Sequence, residues 1–282
     1  MKISQVQVNG IWKKNDIDWI NVDPSVNILV GPNGSGKSTF LKLINLILEG
    51  SSKELDKIKA DITVWFDSHI SIGYKYAEKK TNNAGNLKKL KMGFDVEYIN
   101  TFDIPTQKKS EKSQLMQELD KVIYEHSKDF FSFFDYRMKI INFPEEREGI
   151  EARINQLFSV IDSFFAPTGK RISINPETNK MVFTFPDDGK EIGPDDLSSG
   201  EKQLLLILLK TFLKEEKQFI MIMDEPEISL HVEWQELLVD AILQLNKNCQ
   251  IILSTHSPSI FAKGWGDKLV FMEDIVKPIA KQ

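Results

Sequence analysis

Apolar positions along this chain switch repeatedly between a strand period and a helix period, and the switches divide it into three regions. Ile3, Val6 and Val8 predict an opening strand, and Val26-Asn27-Ile28-Leu29-Val30 predicts a short apolar strand that stops at a glycine. Phe40, Leu41, Ile44, Ile47 and Leu48 then recur on one face of a helix, which Gly50-Ser51-Ser52 ends. Near the other end the pattern resumes. Leu204 to Leu213 predicts a helix, Phe219 to Met223 a buried strand, and Val232 to Leu245 a second helix. Gln250 to Leu253 and Lys268 to Met272 predict two more strands. Such alternation argues for an α/β fold with a mostly parallel sheet and helices packed on it.

The middle, from about Ser51 to Lys190, keeps a different rhythm. Ile62-Thr63-Val64-Trp65-Phe66 and Phe94 to Ile99 predict strands flanking a Lys- and Asn-rich segment, Tyr76 to Lys91, that reads as a loop. From Ser110 to Phe165 the spacing is helical, through Leu115, Leu119, Val122, Ile123, Phe130, Phe131, Phe133 and Phe134. It breaks at Asn142-Phe143-Pro144 and resumes through Ile150, Ile154, Leu157, Ile161 and Phe165. This predicts an aromatic-rich helical pair without the sustained heptads of a coiled coil. Arg171 to Phe185 predicts a hairpin around the turn signal Asn175-Pro176-Glu177-Thr178-Asn179.

Bulk properties narrow the setting. At 282 residues the chain can hold one large domain with an insertion. A net charge of −5 carries no polycation signature, so any contact with nucleic acid needs a local patch. The single cysteine, Cys249, excludes an internal disulfide. The N-terminus lacks the apolar run of a signal peptide, and no apolar stretch is long enough to span a bilayer, so a cytoplasmic protein without a membrane partner is expected.

Four segments carry chemistry. Gly31-Pro32-Asn33-Gly34-Ser35-Gly36-Lys37-Ser38-Thr39 is a P-loop, with an apolar strand before it and an amphipathic helix after it. Small residues let successive backbone N–H groups, from Asn33 to Thr39, turn inward around a phosphate at a helix N-terminus. Lys37 brings a cation to the β- and γ-phosphates, Ser38 a hydroxyl to Mg²⁺, and Thr39 a contact to the α-phosphate. Phe219 to Pro226 is an apolar strand ending in two carboxylates. Beside a P-loop, Asp224 is placed to hold Mg²⁺ and Glu225 to polarise an attacking water; alone, it reads equally as a strand that surfaces in charged residues. Leu197-Ser198-Ser199-Gly200-Glu201-Lys202-Gln203 has the spacing of a capping box, Ser198 to Glu201. By itself it is a well-capped helix; the same geometry presents N–H groups and a hydroxyl to a phosphate. Ser254-Thr255-His256-Ser257-Pro258 follows the next strand, where His256 can sense a γ-phosphate or be a plain surface residue.

Taken in this order, these elements resemble the ABC ATPases. Gly31–Thr39 is similar to Walker A, Leu197–Gln203 to the signature motif and Ile220–Pro226 to Walker B. Glu227-Ile228-Ser229-Leu230-His231 is similar to the D-loop, and His256 to the switch histidine. Ser199 and Glu201 stand where transporters usually carry Gly and Gln. With Asp-Glu-Pro-Glu and Ser-Thr-His-Ser-Pro, they give the chain the look of the RecF, SMC and OLD-like branch. The resemblance covers roughly residues 1–50 and 190–272. It implies one P-loop NTPase domain over 1–282, an ABC-ATPase head with an N-terminal antiparallel β lobe and a helical insertion at 105–167. It also implies ATP and Mg²⁺ as cofactors, Gln107 as the Q-loop metal ligand, and catalysis by Glu225 and His256. Ser198, Ser199 and Gly200 would then complete the site of a second copy, making ATP the bridge of a head-to-tail dimer.

The expected function is therefore an ATP-gated dimer or higher oligomer coupled to an effector protein, such as a nuclease or toxin, or to nucleic acid, in phage defence or genome maintenance. Lys75, Lys79, Lys80, Lys88, Lys89, Lys91, Lys108, Lys109 and Lys112 form the basic stretch that could meet a phosphate backbone; a solvated loop is the plainer alternative. Two rivals remain open. One is the nucleotide-binding subunit of a transporter, opposed by the long separation of Lys37 from Ser198. The other is a binding module without turnover, opposed by Glu225.

Overall fold

The computed structural model describes residues 1–82, 95–100, 112–127 and 130–279, arranged in two compact units. The first comprises Met1–Thr101, Glu216–Ile228 and Asn248–Gln282; the second comprises Phe102–Glu215 and Ser229–Lys247.

The first unit holds two sheets. A five-stranded sheet orders β13 (Leu269–Phe271), β3 (Val26–Val30), β12 (Cys249–Ser254), β11 (Phe219–Asp224) and β7 (Asp95–Ile99), every neighbouring pair parallel. Strands buried on both faces read as continuous apolar runs, and all six positions of both β11 and β12 are buried. Helix α1 (Lys37–Glu49) packs on this sheet through Phe40, Leu41, Ile44 and Ile47, and ends at Gly50, whose φ of 73° supplies the left-handed cap. The second sheet is antiparallel, ordered β14 (Val276–Pro278), β2 (Asn15–Ile20), β1 (Ile3–Ile11), β4 (Asp61–Phe66), β5 (Ser71–Lys75) and β6 (Lys80–Asn82).

A buried amide staples the two sheets. Gln250, fully buried in β12, donates through Nε2 to the carbonyls of Ile3 and Asp23 at 2.8 Å and accepts from the Ile3 N–H at 2.7 Å. Within the parallel sheet, buried Asn27 of β3 donates to the Asp23 carbonyl of the loop before it and to the Ile251 carbonyl of β12. Both buried amides are thus satisfied by backbone, as burial demands.

The second unit is helical with a three-stranded antiparallel sheet, β10 (Glu191–Ile192), β9 (Met181–Thr184) and β8 (Arg171–Ile174). Its helices are α3 (Gln114–Tyr124), α4 (Phe133–Asn142), α5 (Arg147–Phe165), α6 (Ser199–Leu213), α7 (Val232–Gln235) and α8 (Leu238–Leu245). At the centre lies α6, buried from Leu204 to Leu209 and against α3, α5 and α8. Phe212 receives the edges of Phe133 at 5.9 Å and Tyr136 at 4.6 Å, with the Arg153 guanidinium 5.3 Å from its ring centre.

Three expectations need correction, and one short helix is additional to them. The helical pair is three helices, because Ser132 and Asp135 form a capping box that starts α4 anew within an unbroken aromatic pattern. The segment Tyr76–Lys91 is not loop throughout: Lys80–Asn82 pairs with β5 through its backbone, without an apolar side chain to signal it. A short helix, α2 (Ser52–Ile58), follows Gly50 directly. Val232–Leu245 is split into α7 and α8 by a turn at Glu236 and Leu237, across which the apolar spacing continues.

Because Phe212 is enclosed on three sides, Phe212→Ala leaves an aromatic-sized void. Chemical denaturation of that variant should show a loss of about 3–5 kcal/mol; a change below about 1 kcal/mol would contradict this packing.

Candidate functional site

Backbone register builds the site in the first unit. Ser254 of β12 pairs with Leu29 of β3 on one side and Asp224 of β11 on the other. The residues that follow each strand, around Gly31, Thr255 and Glu225, therefore emerge side by side at one carboxyl edge, where α/β sheets bind ligands. β12 lies between β3 and β11.

Gly36 precedes α1 with a φ of 95°, and no side chain caps the helix. Its first N–H groups are open to an anion, and the buried Ser35 hydroxyl has no partner among the described residues. This donor set fits a phosphate tail. Gly34, also left-handed, lets the loop turn. Asn33, Gly34 and Ser38 are exposed, while Thr39 is half-buried. Lys37 is buried, and its ammonium donates to the Gly31 carbonyl at 2.9 Å, the Pro32 carbonyl at 3.4 Å and His256 Nε2 at 2.8 Å. Burial pulls that ammonium below its ordinary range, against the opposing pull of Glu225, Asp224 and Glu227.

The carboxylates diverge as the motif requires. Ser254 donates its hydroxyl to Asp224 Oδ1 at 2.5 Å, holding that buried carboxylate at the strand tip. The Glu225 N–H donates to the Ser254 carbonyl at 3.1 Å and shares its hydroxyl at 3.3 Å. Glu225 itself sits at φ 48°, the left-handed region that costs a residue with a Cβ about 1–2 kcal/mol. The kink sends its carboxylate off the strand line, to 3.4 Å from His256 Nε2. Strain of this kind gathers at functional positions. For magnesium the chain offers the Ser38 hydroxyl and the Asp224 carboxylate. That sparse oxygen set suits an ion that keeps waters and takes phosphate oxygens.

Ser198, Ser199 and Gly200 lie in the second unit. Ser198 caps α6, accepting from the Glu201 N–H at 3.3 Å, while its own N–H donates to Glu201 Oε2 at 2.9 Å. Ser198 and Ser199 are exposed. Gly200 is buried: a Cβ there would lie 2.1 Å from the Ser229 carbonyl oxygen, so only glycine permits this approach. Glu201 also accepts from Lys170 Nζ at 2.6 Å, in a nearly dry pair. Burial pushes its carboxyl up, but Lys170 and the Ser198 groups outweigh this and leave it below the usual 4.5.

Residues 100–262 match the family described as AAA domain, putative AbiEii toxin, Type IV TA system, and residues 1–156 match the family described as AAA ATPase domain. The chain belongs to the AAA-type P-loop ATPases. Among curated relatives, the Septu protein PtuA of Bacillus thuringiensis is 23% identical over 91% of this chain and 72% of its own length. The Retron Vc95 probable ATPase of Vibrio cholerae serotype O1 biovar El Tor is 27% identical over 48% of this chain, which spans only 28% of that protein. The glutamine transport ATP-binding protein GlnQ of Geobacillus stearothermophilus is 24% identical over 88% of this chain and 75% of its own length. In fold, the chain is similar to the SMC head solved in complex with the C-winged helix domain of ScpA, with a TM-score of 0.63 and 15% identity over 99% of this chain and 97% of that one.

In this P-loop ATPase, Lys37, Asp224, Glu225 and His256 lie together at one strand edge. Gln107 lies outside the described residues, as do Lys88, Lys89, Lys91, Lys108 and Lys109. Of the remaining lysines in the basic stretch, Lys75 pairs with Asp61 at 3.3 Å, and Lys112 pairs with Asp120 at 2.6 Å and Asp195 at 3.2 Å. Two residues went unread. Ser254 was hidden inside a motif valued for its histidine. Trp12, at the tip of the β1–β2 hairpin, lays its ring so close to Gly36 that a Cβ there would fall 2.0 Å from it. The ring is 41% exposed; a tryptophan beside Gly10 and two lysines was its only sequence signal.

The Glu201 carboxylate is stabilising above its unfolded value near 4.5, and that contribution is lost as pH falls through the lower folded value. Glu201→Gln keeps the cap but removes the charge. Its melting temperature should fall below that of the unsubstituted protein at about pH 7, with the gap closing at about pH 3. A gap independent of pH would contradict the ion pair.

Proposed function

We propose that this chain is an ATP-hydrolysing switch whose nucleotide-dependent dimerisation controls an effector protein. One observation carries the reading: the Lys37 ammonium, the His256 imidazole and the Glu225 carboxylate meet at the mouth of an uncapped, glycine-turned helix N-terminus. The backbone from Asn33 to Thr39 cradles the phosphates, and Lys37 exchanges its carbonyl partners for β- and γ-oxygens. Ser38 and Asp224 would hold Mg²⁺, with Gln107 proposed as a further ligand from its sequence position alone; the ion would neutralise phosphate charge. Glu225 orients and deprotonates the attacking water, and His256 reads the γ-phosphate. The exposed Ser198 and Ser199, with the N–H of Gly200, reach the γ-phosphate of a second copy, so that ATP closes a head-to-tail dimer and hydrolysis opens it.

The chain is then one ABC-type ATPase domain, 1–282, with a helical insertion at 105–167, working in the cytoplasm. Similarity to Septu and retron proteins supports a role in phage defence beside a nuclease or toxin. Nucleic acid is the weaker partner, since Lys75 and Lys112 already face carboxylates. A second reading, the nucleotide-binding subunit of a transporter, draws on the likeness to GlnQ. Co-purification with a membrane permease would establish it. Among the described residues, no helix is long and apolar enough to cross a membrane.

Two experiments test the main reading. Lys37→Ala should abolish ATP retention and hydrolysis. Glu225→Gln should trap an ATP-bound dimer in size-exclusion chromatography with ATP and Mg²⁺; only monomer, or an oligomer unchanged by ATP, would overturn the gating. Trp12 offers an aromatic face at the P-loop, and stacking on a base is worth about 1–3 kcal/mol. Trp12→Ala should therefore raise the KM for ATP about tenfold with kcat nearly unchanged. An unaltered KM would remove the indole from the site.

A further inference from the structure

The segment after Walker B contains a second acid whose position the motif reading does not explain. Glu227 lies two residues beyond the kinked Glu225 and is only 8% exposed. Its Oε1 accepts the Thr255 hydroxyl at 2.6 Å and the His256 backbone N–H at 2.8 Å. Thr255 Oγ1 in turn accepts from the Ser257 N–H at 2.9 Å. One carboxylate oxygen thereby references three consecutive residues of the switch loop to the exit of the neighbouring strand. Hydrogen bonds to an ionised, buried acceptor are among the stronger ones a protein makes.

The histidine needs such a hold. Its side chain is 37% exposed. Its ring contacts are Lys37 and Glu225, the groups that nucleotide chemistry must rearrange. The remaining fixed point is the backbone, and there Glu227 grips it. Thr255, whose own N–H donates to the Leu29 carbonyl at 3.1 Å, ties the same loop to the P-loop strand. Glu227 thus completes a bridge from β11 through the switch loop to β3.

We infer that Glu227 is a positioning residue: it holds the His256 main chain so that the imidazole is presented to the γ-phosphate. This rests on the ATP-hydrolysis reading above. Because Glu227 is anchored where β11 leaves the sheet, at the head of the segment resembling a D-loop, displacement of that segment is passed to His256 through two hydrogen bonds.

Steady-state ATP hydrolysis by the full chain tests it, with wild type, E227A, E227Q, H256A and the E227A/H256A double variant. Misplacing the histidine should cost E227A about tenfold to a hundredfold in kcat, with the KM for ATP within about threefold because the P-loop is untouched. E227Q keeps a carbonyl oxygen for both donors and should recover most of kcat. The double variant should be no slower than H256A alone, since the two residues act as a unit. If E227A fails to fold, E227D, which withdraws the oxygen by one methylene, carries the same expectation. A wild-type kcat in E227A or E227D, a change confined to KM, or additive losses in the double variant would overturn the positioning role while leaving the parent reading intact. A wild type that hydrolyses no ATP would overturn both.

Discussion

Parallel pairing among β3, β12 and β11 is the constraint on which the site depends. Leu29, Ser254 and Asp224 stand level in that ladder, so three loops from distant parts of the chain must leave the sheet together. A slip of one residue would turn every side chain of a strand to the opposite face, exchanging the places of Asp224 and Glu225. What prevents the slip lies in part at the other end of the sheet. Asn27 and Gln250 satisfy specific carbonyls at Asp23, Ile251 and Ile3, and a shifted register would bury those amides without partners at a cost of about 1–3 kcal/mol each.

On this frame the reactive edge is assembled from short polar links. Ser254 serves Asp224 and Glu225 together, Glu227 serves Thr255 and His256, and His256 serves Lys37. Each link crosses between neighbouring strands, so the acid, the histidine and the lysine are held relative to one another. The second unit shows the same economy at the start of α6, where Glu201 caps the helix and pairs with Lys170, and where Gly200 admits the Ser229 carbonyl.

Much of this was legible in the sequence because the signals were local. Largely apolar runs before Gly31, Glu225 and Thr255 marked the buried parallel strands, and the P-loop glycines marked the turn. What escaped was either non-periodic or long-range. The strand Lys80–Asn82 pairs through backbone alone, and the restart at Ser132 is a cap inside a continuous aromatic pattern. Trp12 meets Gly36 because a hairpin folds back over the loop, a contact no spacing rule contains. Glu227 read only as the first residue of the segment similar to a D-loop. Its partners come from a strand that follows nearly thirty positions later in the chain.

The lysine of the P-loop has a consequence for which ions the cradle accepts. Its three donors are already committed to two carbonyls and an imidazole, so an arriving anion must outbid internal ligands before it gains the charge. A lone oxyanion brings few contacts to that exchange, whereas a polyphosphate tail can engage the open helix end first and the cation second. On the ATP-binding reading, this arrangement would favour a polyphosphate over a lone oxyanion.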